Sequence, residues 1–300
     1  MPSDTYCGRF APSPTGPLHF GSLVTALASY LEARQQGGTW LVRIEDLDPL
    51  RESPAATTAI LDSLQCHGLI HDSEIRYQSS RLEVYRQFAE QLVERGLAYH
   101  CACSRKELAA HNGHHPWGCR HGGSLPADRP WAIRFALKDE AACWQDRILG
   151  EQRQTVRAGV DDPVIIRKEG FVAYQLAVVV DDIDQGVTEI LRGSDLLEAT
   201  AQQRQICQAL GGSTPLWGHI PVVLNEQGHK LSKQNHAPAL DDSQPSQNLW
   251  RALVALGQRP PEPLASKTRQ QVLDWALANW SMARIPRTSV TDALNFSPGH

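Results

Sequence analysis

Apolar residues near the start of the chain recur with strand-like and helix-like spacing in alternation. The pattern predicts strands at residues 5–10 and 39–44, and helices at residues 19–37, 53–64 and 81–95. Ser53 followed by Pro54 is a favourable helix start, and the Gly37-Gly38 pair ends the first helix. A strand–helix–strand–helix order at this spacing predicts a parallel α/β sheet.

The pattern changes in the middle of the chain and then returns. Residues 97–170 hold a cysteine and histidine cluster, turns rich in glycine and proline, and one predicted strand at residues 131–137. Later elements are predicted as a helix at 173–181, a strand at 187–191, a helix at 195–210 and a strand at 219–224. We therefore predict two halves of one sheet at 1–96 and 171–235, an insertion at 97–170, and a short helical region at 236–300.

Composition narrows the possible functions without choosing one. The hydrophobic fraction of 41% and the charged fraction of 21% are ordinary for a globular protein. A formal net charge of −4 gives no overall attraction to nucleic acid, so RNA would need a local basic patch. Candidate phosphate contacts near the insertion are Arg76, Arg81, Arg105, Lys106 and Arg120.

Nothing in the sequence predicts export or membrane insertion. The first residues lack a charged segment followed by an apolar one, as a secretory signal requires. The longest apolar run, residues 171–180, is too short to span a bilayer. We expect a cytoplasmic protein without membrane contact.

Two motifs far apart in the chain suit the phosphates of a nucleotide. The first is Arg9-Phe10-Ala11-Pro12-Ser13-Pro14-Thr15-Gly16-Pro17-Leu18-His19-Phe20-Gly21-Ser22, and the second is Lys230-Leu231-Ser232-Lys233. A turn that leads into a helix presents unpaired N–H groups and the positive end of the helix dipole to a triphosphate. A mobile loop with two ammonium groups can close over the phosphates and stabilise departing pyrophosphate.

Together these motifs resemble the HIGH and KMSKS signatures of class I aminoacyl-tRNA synthetases. The longer match, which includes Arg43-Ile44-Glu45-Asp46-Leu47-Asp48, resembles the glutamyl-tRNA synthetase subgroup. Tyr174 in a Tyr-Gln-Leu-Ala segment and Arg192 in an Arg-Gly-Ser-Asp turn extend the match. The resemblance covers about residues 5–235. It implies the class I Rossmann-like parallel sheet, with an inserted α+β zinc-binding subdomain and a short helical C-terminal region.

The resemblance also implies roles for the matching residues. The glutamate-binding set would be Arg9, Ala11, Ser13, Glu45, Tyr174 and Arg192. The ATP-binding set would be His19, Gly21, Ser22, Lys230, Ser232 and Lys233, of which His19, Lys230 and Lys233 would be catalytic toward Mg²⁺-bound ATP. Arg9, Arg192 and Tyr174 would hold the side-chain carboxylate, because a guanidinium offers a fork for it. Ser13 and Glu45 would hold the amino group.

The segment after the second motif separates branches of this family. Only 67 residues follow Lys233, too few for the large helical anticodon-binding region of a full synthetase. A shortened branch activates glutamate without tRNA and attaches it to the queuosine base in the anticodon of aspartate tRNA. The partners expected are therefore ATP, L-glutamate and queuosine-containing tRNA(Asp), and a monomer is expected by analogy. Alternatives are a short synthetase charging the 3′ end of tRNA(Glu), a small-molecule nucleotidyltransferase, and an inactive RNA-binding paralogue.

Three of the seven cysteines cluster within the insertion and have the donor types of a metal site. Cys101, Cys103, His115 and Cys119 form a Cys-x-Cys…His-x3-Cys set that can complete a tetrahedral zinc site. A closed site of this kind would be structural, with one zinc per chain. The fourth ligand is open between His115 and three neighbours, His111, His114 and His121. The family commonly has tyrosine at the place of His115.

Overall fold

The fold combines a parallel sheet with antiparallel strands placed between its two halves in the chain. The computed structural model describes residues 5–123, 126, 128–224 and 238–292. Its strands are β1 (Cys7–Phe10), β2 (Thr39–Ile44), β3 (Arg76–Tyr77), β4 (Ala98–Cys101), β5 (Ala132–Phe135), β6 (Glu140–Asp146), β7 (Gly150–Val156), β8 (Val164–Ile166), β9 (Glu189–Gly193), β10 (Leu216–Ile220), β11 (Val222–Leu224) and β12 (Val290–Asp292). Its α-helices are α1 (Phe20–Gln35), α2 (Pro54–Cys66), α3 (Leu82–Glu94), α4 (Arg105–Ala110), α5 (Tyr174–Asp184), α6 (Thr200–Ala209), α7 (Pro245–Ala255) and α8 (Arg269–Asn279).

The parallel sheet has its change of strand order at β1. Strand β1 pairs in parallel with β2, which pairs with β3, and β9 pairs in parallel with β10. The Thr188 amide, directly before β9, donates to the Cys7 carbonyl oxygen at 2.9 Å and places β9 on the free side of β1. The resulting order is β3-β2-β1-β9-β10. In open α/β sheets, ligands bind beyond the carboxyl ends of the strands where the order reverses, here between β1 and β9.

Most elements predicted in the parallel part are present. The strands at 5–10 and 39–44 and the three helices that follow them are confirmed as β1, β2, α1, α2 and α3. The predicted start of α2 is also confirmed, because the Ser53 side chain accepts a hydrogen bond from the Ala56 amide at 3.2 Å. The predicted helix at 195–210 begins instead as a 3-10 helix, Ser194–Ala199, before α6.

The predicted strand at 219–224 is divided into β10 and β11. Pro221 lies between the two, and its ring nitrogen has no hydrogen to donate to a neighbouring strand. Strand β11 pairs in parallel with β12, which the sequence pattern does not predict. Helices α7 and α8 lie in the last part of the chain, where a short helical region is predicted.

The antiparallel strands are the five consecutive strands from β4 to β8. Strand β5 confirms the predicted strand at 131–137 and pairs antiparallel with both β4 and β8. A separate hairpin, β6–β7, is not among the elements predicted from the sequence, and along it exposed positions alternate with more buried ones. The division into domains at residues 97, 171 and 236 stays a prediction.

The largest hydrophobic cluster ties the parallel sheet to the last helices. It includes Leu27 of α1, Trp40 of β2 and Leu253 of α7, all buried. Helix α1 packs against β1, α7 and α8, so its N-terminus has a fixed position beside the sheet. Among the described residues, no helix is long and apolar enough to cross a membrane.

Candidate functional site

The turn after β1 is fastened to the segment that follows β2. The Glu45 amide donates to the Pro12 carbonyl oxygen at 3.0 Å, and the Ser53 amide donates to the Pro14 carbonyl oxygen at 3.2 Å. These two bonds connect the turn to both ends of the β2–α2 connection. The turn is therefore held before it enters α1, and Ser13 is exposed on it.

His19 caps the helix that this turn enters. Its Nδ1 accepts a hydrogen bond from the Ser22 amide at 3.2 Å, and its Nε2 lies 3.0 Å from the Ser22 Oγ. Gly21 lies in the first turn beside them, without a side chain to cover the backbone. The three residues predicted to contact ATP thus meet at the N-terminus of a 16-residue helix, where backbone N–H groups favour an anion. The predicted lysine loop with Lys230, Ser232 and Lys233 lies outside the described residues.

A group of buried charges joins β1, β2 and α5. Arg9 donates through Nε to Asp182 Oδ1 at 3.1 Å and through Nη2 to Asp182 Oδ2 at 3.3 Å. Arg43 makes a second ion pair with Asp182 at 2.8 Å and one with Glu45 at 3.4 Å. Burial opposes ionisation of Asp182, but the two guanidinium groups outweigh burial and lower its pKa. This carboxylate is therefore the shared counter-ion of two buried arginines.

Glu45 is the carboxylate of this group whose burial is least compensated by positive charge. Burial raises its pKa to about 6, although the Arg43 and Arg9 guanidinium groups act in the opposite direction. Its partner Arg43 is fully buried and divides its charge among several carboxylates. A buried carboxylate with incomplete compensation suits a cationic ligand such as an ammonium group.

Arg192, on β9, is also buried but has a different environment. Its five N–H donors face acceptors that carry no charge: Gln203 Oε1 at 2.6 Å, Thr200 Oγ1 at 2.8 Å, the Leu196 carbonyl oxygen at 3.1 Å, His219 Nε2 at 3.1 Å and the Tyr174 hydroxyl at 3.4 Å. No ion pair joins Arg192 to a carboxylate within the described part of the chain. Burial lowers the pKa of its guanidinium. Tyr174 and Asp182 oppose this effect, and Arg9 acts in the same direction as burial.

The structure therefore gives the predicted carboxylate-binding residues different partners. Tyr174 and Arg192 are brought together, but Arg9 is occupied by Asp182. Sequence inspection missed Asp182, and it also missed the Arg192 partners Gln203 and His219. Asp182 lies in an apolar stretch of α5, so an acidic residue inside a hydrophobic run was an available signal. Gln203 and His219 carry no comparable signal, because only the packing of α6 and β10 on β9 brings them close.

The predicted metal ligands do meet. The ligand atoms of Cys101, Cys103, His115 and Cys119 all lie within 4.8 Å of one another. Cys101 Sγ is 3.3 Å from His115 Nδ1, and Cys103 Sγ is 3.6 Å from Cys119 Sγ. Metal–ligand bonds of about 2.0–2.3 Å in a tetrahedron place ligand atoms roughly 3.3–3.8 Å apart. The cluster can bind a metal ion.

A second set of contacts orients the histidine of this cluster. The Tyr99 hydroxyl lies 3.1 Å from His115 Nε2 and donates to Asp162 at 2.7 Å. His115 therefore presents Nδ1 to the sulfurs while Nε2 is held from behind, as metal-ligating histidines usually are. Of the other candidates, His111 bonds to the Glu107 carbonyl oxygen at 2.8 Å instead.

Three of the candidate RNA-contacting arginines are already engaged in ion pairs. Arg76 and Arg81 both pair with Asp184, at 2.7 Å and 3.0 Å, and Arg120 pairs with Asp162. The sequence could not show this, because each carboxylate is distant along the chain.

The sequence matches one family of enzymes. Residues 7–270 match the family model described as tRNA synthetases class I (E and Q), catalytic domain. The chain belongs to this family, and the predicted class I synthetase fold is confirmed.

Similar proteins define the branch. The chain is 48% identical over 285 residues to the Glutamyl-Q tRNA(Asp) synthetase of Pseudomonas aeruginosa strain LESB58, covering 95% of this chain and 97% of that protein. It is 47% identical over 292 residues to the protein of the same name from Pseudomonas fluorescens, covering 97% of each. The predicted resemblance to the shortened branch is confirmed.

Solved structures agree on the fold. A glutamate tRNA ligase from Elizabethkingia meningosepticum superimposes with a TM-score of 0.79 at 24% identity, covering 98% of this chain and 67% of that one. The glutamate-tRNA synthetase from Elizabethkingia anophelis gives a TM-score of 0.78 at 24% identity, covering 96% and 68%.

Proposed function

We propose that this protein activates glutamate with ATP and transfers it to the queuosine base in the anticodon of tRNA(Asp). The observation that carries the proposal is the identity of 47–48% to proteins named Glutamyl-Q tRNA(Asp) synthetase, over nearly the whole of both chains. Two features of the structure support it as well: the buried Arg192 contacts the Tyr174 hydroxyl, and the α1 N-terminus is suited to phosphates.

In the first step, the glutamate α-carboxylate attacks the α-phosphorus of ATP. An oxygen–phosphorus bond forms, the bond to the β-phosphate bridging oxygen breaks, and pyrophosphate leaves with its electron pair. His19 and the amides at the start of α1 stabilise charge on the α-phosphate, while Lys230 and Lys233 stabilise the departing pyrophosphate. Mg²⁺ bound to the phosphates neutralises part of their charge. Gly21, Ser22 and Ser232 complete the ATP contacts.

Arg192 is the main determinant of glutamate recognition in this proposal. The side-chain carboxylate of glutamate would be the first anion to pair with Arg192, replacing its longest contact, the one to Tyr174. Arg9 contributes its positive field but keeps its bidentate pair with Asp182. Glutamine would leave the buried guanidinium without a counter-charge, so discrimination against it is expected to be strong.

The opposite end of glutamate is an ammonium group. Glu45 holds it as the buried carboxylate, with Ser13 as a hydroxyl acceptor and Ala11 as part of the pocket wall. This arrangement leaves the α-carboxylate directed toward the nucleotide bound at α1.

In the second step, a hydroxyl of the queuosine cyclopentene-diol attacks the activated glutamyl carbonyl carbon. An ester bond forms, the bond between the carbonyl carbon and the phosphate oxygen breaks, and AMP leaves. The hydroxyl proton is released to solvent or to the departing phosphate.

The Cys/His cluster holds a structural zinc ion in this proposal. Cys101, Cys103, His115 and Cys119 would fill all four positions of a tetrahedral ion, so no position remains for a substrate. When bound, zinc would cross-link β4 to the loop that carries Cys119.

The test is transfer of labelled glutamate, with ATP, onto two matched tRNA pools. One pool comes from cells that make queuosine and the other from otherwise identical cells that do not. Label restricted to the queuosine-containing pool is expected. Equal labelling of both pools would overturn the proposal in favour of 3′-end charging of tRNA(Glu). Absence of glutamate-dependent ATP–pyrophosphate exchange would indicate an inactive RNA-binding protein.

A further inference from the structure

A buried pair from two distant parts of the chain lies behind Arg192. Asp146 is the last residue of β6, in the antiparallel hairpin, and His219 lies on β10 of the parallel sheet. Both side chains are fully buried, and His219 Nδ1 is 2.5 Å from Asp146 Oδ2. The other side of the same imidazole faces Arg192, with Nε2 3.1 Å from the Arg192 Nε.

Elementary chemistry fixes which atom donates and which accepts in the hydrogen bonds that His219 makes to Arg192 and to Asp146. An arginine Nε–H can only donate, so His219 Nε2 must accept. A carboxylate can only accept, so His219 Nδ1 must donate to Asp146. The imidazole is therefore neutral, with its one proton on Nδ1. Burial favours the same neutral form, because it lowers the pKa of His219.

Asp146 is itself held in place from several directions. Its Oδ1 accepts hydrogen bonds from the backbone amides of Ile148 at 3.0 Å, Leu149 at 2.9 Å and His219 at 3.1 Å. The Arg147 amide also donates to the Trp217 carbonyl oxygen at 2.8 Å, which joins the hairpin to β10. The carboxylate orientation is thus a consequence of the turn that ends β6.

We propose that Asp146 and His219 are positioning residues that hold Arg192 for glutamate without placing a carboxylate directly on its guanidinium. A carboxylate placed directly on Arg192 would neutralise it, as Asp182 does for Arg9. The neutral imidazole of His219 lies between Asp146 and Arg192. It supplies an acceptor for the Arg192 Nε without supplying an anion. The guanidinium is then fixed in orientation, and the substrate carboxylate is the first anion to form an ion pair with it. This inference rests on the proposed role of Arg192 in glutamate binding.

The kinetic test uses glutamate-dependent ATP–pyrophosphate exchange with three variants. Asp146→Asn keeps the shape but lets the amide donate to Nδ1, which would move the imidazole proton to Nε2, against Arg192. His219→Leu removes the acceptor, and His219→Gln retains both an acceptor and a donor. The half-exposed His71→Leu, outside this chain of contacts, is the matched control.

The expected result is a split between the two substrates. For Asp146→Asn and His219→Leu, the glutamate KM is expected to rise about tenfold or more, by analogy with partners behind metal ligands, and the preference over glutamine to fall. The ATP KM should stay within about twofold, and His219→Gln should recover most of the glutamate affinity. Folded variants with an unchanged glutamate KM, or with equal rises in both KM values, would overturn the proposal.

A second measurement does not depend on activity or on the variants folding. Nitrogen-15 NMR of the histidine side chains in the unaltered protein reports the tautomer of His219 directly. A neutral ring protonated on Nδ1 at pH 7 is expected. A ring protonated on Nε2, or a charged imidazolium, would overturn the positioning role even if the enzyme proves to use another amino acid. Missing glutamate-dependent exchange together with the Nδ1 tautomer would count against the proposed function alone.

Discussion

The proposed amino-acid pocket and the Cys/His cluster both gather polar groups in the interior, but the chain assembles them differently. The pocket takes Arg9 from β1, Glu45 from the end of β2, Asp182 from α5 and Arg192 from β9. The cluster takes all four ligands from residues 101–119. The proposed pocket therefore exists only after the parallel sheet has formed, whereas the cluster depends mainly on local chain geometry.

The pocket itself contains a further contrast between two buried cations. Arg9 has a carboxylate partner in Asp182, so its charge is balanced inside the protein. Arg192 has hydrogen-bond acceptors without charge, and in the proposed function the side-chain carboxylate of glutamate balances it. A buried charge that the protein neutralises is part of the framework, and one without a paired carboxylate is a candidate binding site.

The largest expected effect comes from breaking the cluster. Cys119→Ser should reduce bound zinc from one per chain to a small fraction, because the remaining donors no longer form a closed set. Metal binding to such sites contributes on the order of 10 kcal/mol and is coupled to local folding. Elemental analysis and protease sensitivity near residues 99–123 measure it. Cys143→Ser, at an exposed cysteine outside the cluster, is the control. Equal metal content in both variants would contradict the assignment.

The next effect concerns the balanced part of the pocket. Asp182→Asn leaves Arg9 and Arg43 without their shared buried carboxylate, so the free energy of unfolding should fall by roughly 3–5 kcal/mol. Denaturant titration measures the change. Asp184→Asn, whose carboxylate is half-exposed and also pairs with two arginines, should cost about 1 kcal/mol or less. Similar losses in both variants would show that burial of Asp182 is not decisive.

Substitution of Arg192, which has no ion pair among the described residues, should change glutamate binding more than the free energy of unfolding. Arg192→Ala should raise the glutamate KM about 100-fold, equivalent to about 2.7 kcal/mol, because the substrate carboxylate loses a buried cation that has no ion pair among the described residues. Pyrophosphate exchange at varied glutamate concentration measures it. Arg153→Ala, at a side chain that is 81% exposed, should change nothing. An unchanged glutamate KM in Arg192→Ala would show that the carboxylate is bound elsewhere.

The smallest expected effect is a pH dependence from Glu45. Its folded pKa of about 6 lies above its ordinary value, so the folded protein binds the proton more tightly. That contribution to stability is full at low pH and is lost as pH rises through about 6. Ammonium binding needs the ionised form, so the glutamate KM should rise about tenfold from pH 7 to pH 5. Glu45→Gln should have a higher KM with little dependence on pH. A wild-type KM that is flat over this range would exclude Glu45 as the titrating group.

The two sites also differ in how far the sequence could predict them. The cluster was predicted completely, with His115 among four candidate histidines, because its donors are close in the sequence. The structure of the turn proposed to bind the nucleotide was predicted because a strand, a Pro/Gly-rich turn and a helix start are consecutive. For the amino-acid pocket, the resemblance supplied Arg9, Glu45, Tyr174 and Arg192, but not the partners that distinguish the two arginines.

The sequence by itself determined the local elements: the first strands and helices, the cap at Ser53, and the metal ligands. These follow from side-chain periodicity, capping and donor spacing, which act over a few residues. Only the tertiary structure decided that Asp182 neutralises Arg9 and that Asp146 and His219 lie behind Arg192. The contacts of Arg9 with Asp182 and of Asp146 with His219 each join residues more than seventy positions apart, and the contact of His219 with Arg192 depends on the packing of separate strands. The arrangement of the sheet, rather than any local pattern, therefore sets the charge on the site.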